Sequence, residues 1–454
     1  MSARSLYNGR MHFVSALLVV GIAGAAGCSP FGGGAFRCET DADCAGGPTA
    51  GKCETGLGFC SFEDMSCASG RRYGTSSGAQ SNVCVGEEAP VDAPPMPDDG
   101  DVPIDMEPMI DARLCFGGPH EICLMMPPSG PRTLPATINT DTECDQVESP
   151  VGGVPLCVVH GAQITVNNTR AQGSRPLVIV ATETINVTGN LDVSSKRGQT
   201  PGAGANAAAC VPATMGENDG GGAAGGGGGG FGAAGGNAGN GDQNNNGGAQ
   251  GNATGGQGGA MSVSTFIRGG CPGADGGSTN GGNNGSNNGT NFGAGSAGGG
   301  AVYLIAGTSI TVAMNATISA SGAGGSPGLN QSGGGGGGGS GGLIGFDAET
   351  ITVMGRVAAN GGGGGGGAGT TNGGNGGDGF QPGTMANWNQ RAGGGSSGNG
   401  ANSSGGQGGA INNVGGGTTN NSDGGSGGGG GGVGVIWVHG TLTGMQVSPP
   451  TTAH

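Results

Sequence analysis

Basic residues and histidines are scarce in this chain of 454 residues. Lys and Arg together number 15 against 30 Asp and Glu, which gives a formal charge of −15 at pH 7. A chain with this charge repels phosphate backbones, so nucleic acid is not an expected partner. Of the five histidines, His12 lies in a predicted signal peptide and His454 ends the sequence, which leaves His120, His160 and His439. His160 and His439 each follow an apolar run and precede a glycine, which predicts one shared repeat position and not a catalytic pair.

Apolar segments long enough to cross a membrane are also lacking. The run Phe13–Ile22 is about half the ~20 residues that a membrane-spanning helix needs, and no later segment is apolar enough. Arg4 and Arg10 precede this run and small residues follow it. That order is typical of a signal peptide, predicted here over residues 1–27.

The signal segment ends in Ala25-Ala26-Gly27-Cys28, which resembles a bacterial lipobox. The resemblance implies that Cys28 is lipidated, becomes the mature N-terminus and anchors the protein in the cell envelope. Ser29 in place of an aspartate implies the outer membrane. Because Ala25 stands where lipoboxes usually have leucine, cleavage near Ala25 and free secretion is the alternative.

Cysteine pairs of the CxxC type are absent from the first cysteine group, as is histidine, which excludes the usual structural zinc sites. The sequence has 13 cysteines, so 12 remain if Cys28 carries lipid. An even number is expected for disulfides formed in an oxidising compartment. They fall into groups of six, four and two, and we expect pairing within each group, with the connectivity of the six left open. The candidates are Cys38, Cys44, Cys53, Cys60, Cys67 and Cys84; Cys115, Cys123, Cys144 and Cys157; and Cys210 and Cys271.

The N-terminal cysteine group has a recognisable setting. Cys38–Cys44, of sequence CETDADC, is followed by Gly46 and Gly47. It resembles the small cysteine-rich modules that follow the lipid anchor in exported, glycine-rich lipoproteins of gliding, predatory bacteria. The resemblance implies a lipid-anchored stalk or interaction module over 28–86. The acidic, proline-rich segment 87–112 then predicts an extended linker.

Glycine contributes 117 residues, concentrated between Gly216 and Gly432, without the third-residue register of collagen. Short segments with alternating apolar residues recur before and within this region, as in strands that face a core on one side. They are Gln163–Val166; Leu177–Ala181, Thr184–Val187 and Leu191–Val193; Val302–Ala306, Ser309–Val312 and Thr317–Ile318; Leu343–Phe346, Thr350–Val353 and Val357–Ala359; Val433–Val438 and Thr441–Thr443. One copy is too small to pack alone, so stacking is predicted.

The predicted fold is therefore mainly β, a degenerate parallel β-solenoid that starts in 113–212, which carries cysteines, and continues through a glycine-rich repeat body, 213–454. Stacking aligns outward threonines in a candidate binding column, interrupted by Asn186. Its members are Thr165, Thr311, Thr352 and Thr443.

The glycine runs Gly225–Gly230, Gly333–Gly339 and Gly361–Gly367 leave two alternatives open. They resemble the polyglycine II packing of phage adhesins and some receptor ectodomains, in which extended strands without side chains bond to their neighbours. Because glycine loses much entropy on ordering, unstructured loops are the other alternative.

Matches to glycine-containing catalytic motifs are expected by chance in a chain with this much glycine. Ser340 and Ser396 both fit GxSxG, but neither is preceded by a strand and followed by a helix as a nucleophile elbow requires. Charged residues near the strand segments, such as Glu183 and Glu349, do not recur as pairs at equivalent positions. No catalytic residue, metal or cofactor is expected.

The sequence thus predicts a non-catalytic surface lipoprotein with an adhesive or structural role through multivalent weak contacts. Its expected partners are the membrane, through the lipid anchor, and glycans or extracellular matrix. The alternatives are a polysaccharide-active β-helix enzyme and an ice- or mineral-binding protein. Ice or mineral binding requires two regular outward columns, of which the sequence indicates one.

Overall fold

The structure is a computed structural model. It describes residues 38, 40–45, 51–74, 77, 81, 83–86, 114–126, 128, 130–242, 253–263, 265–279, 289–382, 388–411, 413, 415–444 and 446–454. The predicted signal peptide, Cys28 and the predicted linker lie outside these residues. The chain divides into two compact units, Met1–Met106 and Glu107–His454. Within the described ranges, no helix has the length and apolarity to cross a membrane.

The first unit is held together by cystines. It contains a 3₁₀ helix, Asp41–Cys44, and a three-stranded antiparallel sheet of β1 (Lys52–Glu54), β2 (Phe59–Glu63) and β3 (Arg71–Tyr73). Its disulfides are Cys38–Cys53, Cys44–Cys60 and Cys67–Cys84. Four of these cysteines, with Phe62 packed against them, form the buried cluster of this unit. So few apolar side chains need disulfides to stay folded, as the sequence predicts.

The second unit is built from short and long strands. They are β4 (Leu114–Phe116), β5 (Ile122–Leu124), β6 (Pro131–Thr133), β7 (Thr137–Asn139), β8 (Gln146–Glu148), β9 (Leu156–Val166), β10 (Thr169–Gln172), β11 (Leu177–Val187), β12 (Asn190–Asp192), β13 (Ala301–Ala306), β14 (Ser309–Val312), β15 (Thr317–Ser319), β16 (Leu343–Val353), β17 (Arg356–Ala358), β18 (Val435–Thr443), β19 (Val447–Ser448) and β20 (Thr452–Ala453). Three more disulfides, Cys115–Cys123, Cys144–Cys157 and Cys210–Cys271, stay within the predicted groups.

Two parallel sheets carry the fold of this unit. The long sheet has the order β20-β18-β16-β13-β11-β9-β6, and the short sheet the order β19-β17-β15-β12-β10-β7. β13 and β14 together take the place of one long strand, because β11 and β16 pair with both of them. Each of the three complete sequence copies, around Ile185, Ile310 and Ile351, thus adds one strand to each sheet in the same order. This confirms a mainly β fold with parallel sheets.

The core lies between the two sheets. Ile164, Ile185, Ile310, Ile351 and Leu442 are in register along the long sheet, and the four isoleucines are fully buried. Short-sheet residues such as Leu191, Ile318 and Val357 pack into the same cluster. Because side chains alternate along a strand, the residues between these face outward.

Outward residues in the first half of the long strands are covered by a second apolar cluster. It joins Val158, Val178 and Ile305 to Ile122 and Leu124 of the β4–β5 hairpin. Among the described residues, none forms such an apolar cover over the outward residues in the second half. The outer face of the long sheet is therefore apolar and covered at one end of its strands, and polar and open at the other.

The described glycine segments are packed, hydrogen-bonded strands outside both sheets. The backbone nitrogens of Gly226 and Gly229 donate to the carbonyl oxygens of Gly335 and Gly338, each at 2.9 Å. Between those two donors, Gly228 donates to a different neighbour, Gly236, at 3.0 Å. A chain with three residues per turn points every third residue at the same neighbour, which is the period of an extended polyproline II-type strand.

Three of these glycine strands bond to one another in a closed triangle. Gly226 donates to Gly335, Gly335 donates to Ser426 at 2.8 Å, and Gly429 donates back to Gly226 at 2.9 Å. The run Gly225–Gly230 is buried within this packing. Of the two alternatives that the sequence leaves open, the described runs therefore adopt ordered packing.

Candidate functional site

The predicted threonine column is present on the open half of the long sheet. Thr165 and Thr311 both pair with Asn186, Thr311 pairs with Thr352, and Thr352 pairs with Thr443. All five side chains are at least partly exposed. β6 extends the column by one residue, since Thr133 pairs with Thr165.

A second polar column, which the sequence analysis missed, runs parallel to the first. Thr184 pairs with Gln163 and Ser309, Ser309 pairs with Thr350, and Thr350 pairs with Thr441. These residues lie two positions before the members of the first column, so they share its face. The signal was in the sequence as a repeated polar-apolar-polar triplet, for example Thr350-Ile351-Thr352.

The two columns form one surface, which we call the hydroxyl face. Its members are Thr133, Thr165, Asn186, Thr311, Thr352 and Thr443, with Gln163, Thr184, Ser309, Thr350 and Thr441. Strand geometry spaces them about 4.8 Å apart across strands and roughly 6.6 Å apart along a strand. None of them carries a charge or an aromatic ring. The face therefore offers a regular grid of uncharged hydrogen-bonding groups.

Hydrogen bonds hold two side chains of the hydroxyl face, those of Thr443 and Gln163. The Thr443 hydroxyl lies 3.2 Å from that of Thr352 and 3.2 Å from the carbonyl oxygen of Ile351. The Gln163 amide donates to Glu183 at its border, at 2.6 Å. Threonine has a stiff χ1 angle, so the grid loses little entropy when it meets a ligand.

A second group of candidate side chains lies at the covered end of the same outer face. His160, Val180, Ile305, Asp347 and His439 occupy one register position across β9, β11, β13, β16 and β18. The prediction that His160 and His439 share a repeat position is confirmed. His120 in the β4–β5 hairpin and His454 after β20 join His439 in what we call the histidine cluster.

The histidine cluster is ordered by a buried carboxylate. One Asp347 oxygen lies 2.8 Å from Nδ1 of His439, and the other accepts the backbone N–H of Gly118 at 2.8 Å. A Cβ atom at Gly118 would lie 2.4 Å from Cε1 of His439, so only glycine leaves space for this ring. Asp347 thereby connects the hairpin to β18.

Stacked rings complete the cluster. The His454 ring lies on the Trp437 indole with centroids 4.0 Å apart, and the His120 ring stacks on both of them. The two Nε2 atoms of His120 and His454 are 3.1 Å apart. His120 also meets the edge of Tyr303 at 5.2 Å between ring centroids.

Burial alters the titration of these groups. It lowers the pKa of His120 to about 4, with help from His454, while Asp347 acts in the opposite direction. Burial and the neighbouring His439 also lower the pKa of His454, again against Asp347. Burial, followed by the Asp347 carboxylate, raises the pKa of Tyr303. His120 is therefore neutral at pH 7.

Other chemically suggestive positions have structural roles. The buried Ser340 hydroxyl accepts the backbone N–H of Cys271 at 2.8 Å, and Asp192 pairs with Arg170 at 2.8 Å. Cys38, Cys44 and Cys60 lie close enough together to suggest a metal site, as do Cys115, Glu121 and Cys123. The sulfur atoms of both groups are in disulfides, so they are not ligands.

No protein-family model, curated protein or solved structure matches this chain. The hydroxyl face carries the functional argument.

Proposed function

We propose that this protein is a non-catalytic surface protein that uses its hydroxyl face to bind a regularly repeating, uncharged surface. The observation that carries the proposal is the pair of in-register polar columns on β9, β11, β14, β16 and β18. Each hydroxyl contributes a weak contact. Because the grid is rigid and repeated, many contacts form together and the total affinity rises steeply.

A polymeric glycan is the ligand that this face fits best. A neutral polysaccharide presents hydroxyls at a fixed repeat, and the grid offers donors and acceptors without charge or aromatic rings. An adhesive or structural role at the cell surface follows from such binding. The stacked strands support a degenerate parallel β-solenoid as scaffold, and the triangular glycine strands support polyglycine II packing beside it.

Ice is the second candidate, and a specific observation favours it. Binding to a crystalline surface needs two regular columns, and Thr184, Ser309, Thr350 and Thr441 supply the second one. An ionic mineral would be matched by charged side chains, which both columns lack. The lack of charged side chains in both columns thus favours ice over a mineral.

Export to the cell envelope is part of the same proposal. Six disulfides support folding in an oxidising compartment. The lipobox-like sequence at Cys28 supports attachment to the outer membrane. A lipid anchor would hold the hydroxyl face outside the cytoplasm, where it can meet glycan or ice.

The test is binding to solid surfaces by the full chain with intact disulfides. Sedimentation with insoluble cellulose, chitin and β-glucan measures glycan binding, and thermal hysteresis measures ice binding. A Thr311→Lys, Thr352→Lys double variant puts charge in the middle of the grid, and we expect its affinity to fall at least about tenfold, since avidity amplifies local losses.

The matched control is Thr418→Lys, which alters an exposed threonine off the hydroxyl face. It should bind like the natural chain. Failure to bind any of these glycans or ice, or an equal loss in the control, would overturn the proposal.

A further inference from the structure

A buried arginine lies at the disulfide of the glycine-rich region. Arg268 is 3% exposed, and among the described residues it forms no ion pair with a carboxylate. Its Nε atom is buried and has no hydrogen-bond partner there. Burial lowers the pKa of Arg268, but a guanidinium stays protonated at neutral pH. Arg268 is therefore a buried positive charge without a counter-charge, which is strongly unfavourable.

The charge of Arg268 is directed at the sulfur atoms of one cystine. Its Nη1 atom lies 3.5 Å from Sγ of Cys271 and 3.6 Å from Sγ of Cys210. Nη2 donates to the hydroxyl of Ser262 at 3.0 Å, and the guanidinium lies 4.4 Å from the centroid of the Phe231 ring. These neutral partners position the guanidinium at the disulfide but do not neutralise it.

The two cysteines of this disulfide differ in exposure. Cys271 is 1% exposed, whereas Cys210 is partly exposed. Cys210 follows the exposed residues Ala208 and Ala209 and precedes the exposed Val211. Solvent thus reaches the disulfide from the Cys210 side. Access of this kind is narrow and favours a small nucleophile.

We propose that the Cys210–Cys271 disulfide is a site of covalent exchange with a low-molecular-weight thiol. The thiolate of the small molecule attacks Sγ of Cys210 and forms a mixed disulfide with it. The Cys210–Cys271 bond breaks, and its electron pair leaves on Sγ of Cys271 as a thiolate. One disulfide replaces another, so the step needs no oxidant.

Arg268 favours this exchange because it gains its missing counter-charge. In the closed disulfide the guanidinium faces two uncharged sulfur atoms. After exchange, Sγ of Cys271 carries a negative charge and already lies 3.5 Å from Nη1. A neighbouring cation stabilises a cysteine thiolate, and a stabilised thiolate is the better leaving group. Opening the disulfide also releases the link between two positions 61 residues apart, on either side of Gly225–Gly230.

Reduced glutathione is the probe, added to the full chain with its disulfides formed. Peptide mass spectrometry should find glutathione on Cys210 and a free thiol at Cys271. After removal of excess glutathione, that thiol is trapped with iodoacetamide over a range of pH values. The pH of half-maximal trapping should lie well below the value of about 8.5 that is usual for a free cysteine.

Arg268→Met removes the charge and keeps an unbranched side chain. The Cys210–Cys271 disulfide should then open at least about fivefold more slowly, because the leaving thiolate loses its cation. The Cys115–Cys123 disulfide, in which Cys115 is exposed, is the internal reference, and its rate should not change. Arg391→Met is the matched control, since the described hydrogen bonds of Arg391 go to backbone carbonyl oxygens. It should leave both rates unchanged.

Near-UV circular dichroism shows whether Arg268→Met folds. If it does not, the pH of half-maximal trapping at Cys271 in the natural chain decides the question. Absence of a glutathione adduct at Cys210, half-maximal trapping at or above a pH of about 8.5, or an unchanged opening rate in folded Arg268→Met would overturn the inference.

Discussion

The carbonyl oxygen of Gly430 occupies the position that a side chain at Gly228 would need, since a Cβ atom there would lie 2.0 Å from it. The same holds in another glycine run, since a Cβ atom at Gly364 would lie 1.9 Å from the carbonyl oxygen of Gly428. The strands approach this closely because neither neighbour has a side chain. Glycine is thus a packing requirement here.

Gly228→Ala should destabilise the second unit by about 3 kcal/mol, the upper range for overpacking a tight interior. The added methyl group has to push Gly430 away and break hydrogen bonds of the triangle. Urea unfolding followed by circular dichroism measures the loss. Gly393→Ala is the control, because nothing lies within 4 Å of a Cβ atom there, and its stability should change by less than about 1 kcal/mol.

Asn186→Thr should improve the hydroxyl face. Asn186 interrupts the column between Thr165 and Thr311, and threonine would restore both the hydroxyl and the cross-strand pairs. Such pairs stabilise a sheet by about 0.2–1 kcal/mol each, so stability should rise slightly. Binding of Asn186→Thr to the glycan or to ice should be tighter. The control Asn420→Thr, which lies off the hydroxyl face, should change neither stability nor binding. Weaker binding by Asn186→Thr would count against the hydroxyl face as the binding site.

Acidification should loosen the β4–β5 hairpin through His120. Its pKa is lowered from 6.5 to about 4 in the fold, so it is neutral in both folded and unfolded chains above pH 6.5. Between pH 6.5 and 4 the unfolded chain takes up a proton that the folded chain does not, and stability falls as the pH falls. Below pH 4 this contribution is lost completely.

Urea midpoints between pH 7 and pH 4, measured with EDTA present, give this dependence. His120→Gln removes the titrating group and should flatten the slope, although the ionisable side chains of His454, Asp347 and Glu121 remain nearby. An unchanged slope in His120→Gln would assign the pH dependence to one of those groups.

Cys28→Ser should abolish membrane attachment. If Cys28 carries lipid, the variant loses incorporation of labelled palmitate and moves from the membrane fraction to the soluble fraction. Ser29→Ala keeps the cysteine and should stay with the membrane. Unlabelled natural protein in the culture medium would instead indicate cleavage near Ala25 and secretion.

Side-chain alternation made much of the β scaffold predictable. The triplets around Ile185, Ile310 and Ile351 combine a buried residue with two polar neighbours, and this pattern indicated the strands and their common register. Short strands were harder to find: β7 and β10 contain few apolar residues and obtain their partners only through stacking. β19 (Val447–Ser448) is too short to have a period at all.

Long-range partners explain what the sequence could not reveal about the sites. Gly226 gives no sign that it bonds to Gly335 and accepts from Gly429, because glycine has no side chain to mark a register. His120 and His454 are far apart in the sequence and occur in no ligand spacing. Their rings come together only because the folded β4–β5 hairpin and β20 place them next to each other.

The triangle of glycine strands also changes how the repetitive sequence should be read. At the buried glycines of the runs, such as Gly225–Gly230, a neighbouring backbone atom would clash with any added Cβ atom, so mutation there has almost no neutral outcomes. Drift can proceed at the exposed asparagines and serines but not at the buried glycines. The low complexity of this region then reflects strict steric selection at single positions, whereas in an unstructured tail the same composition would be free to vary.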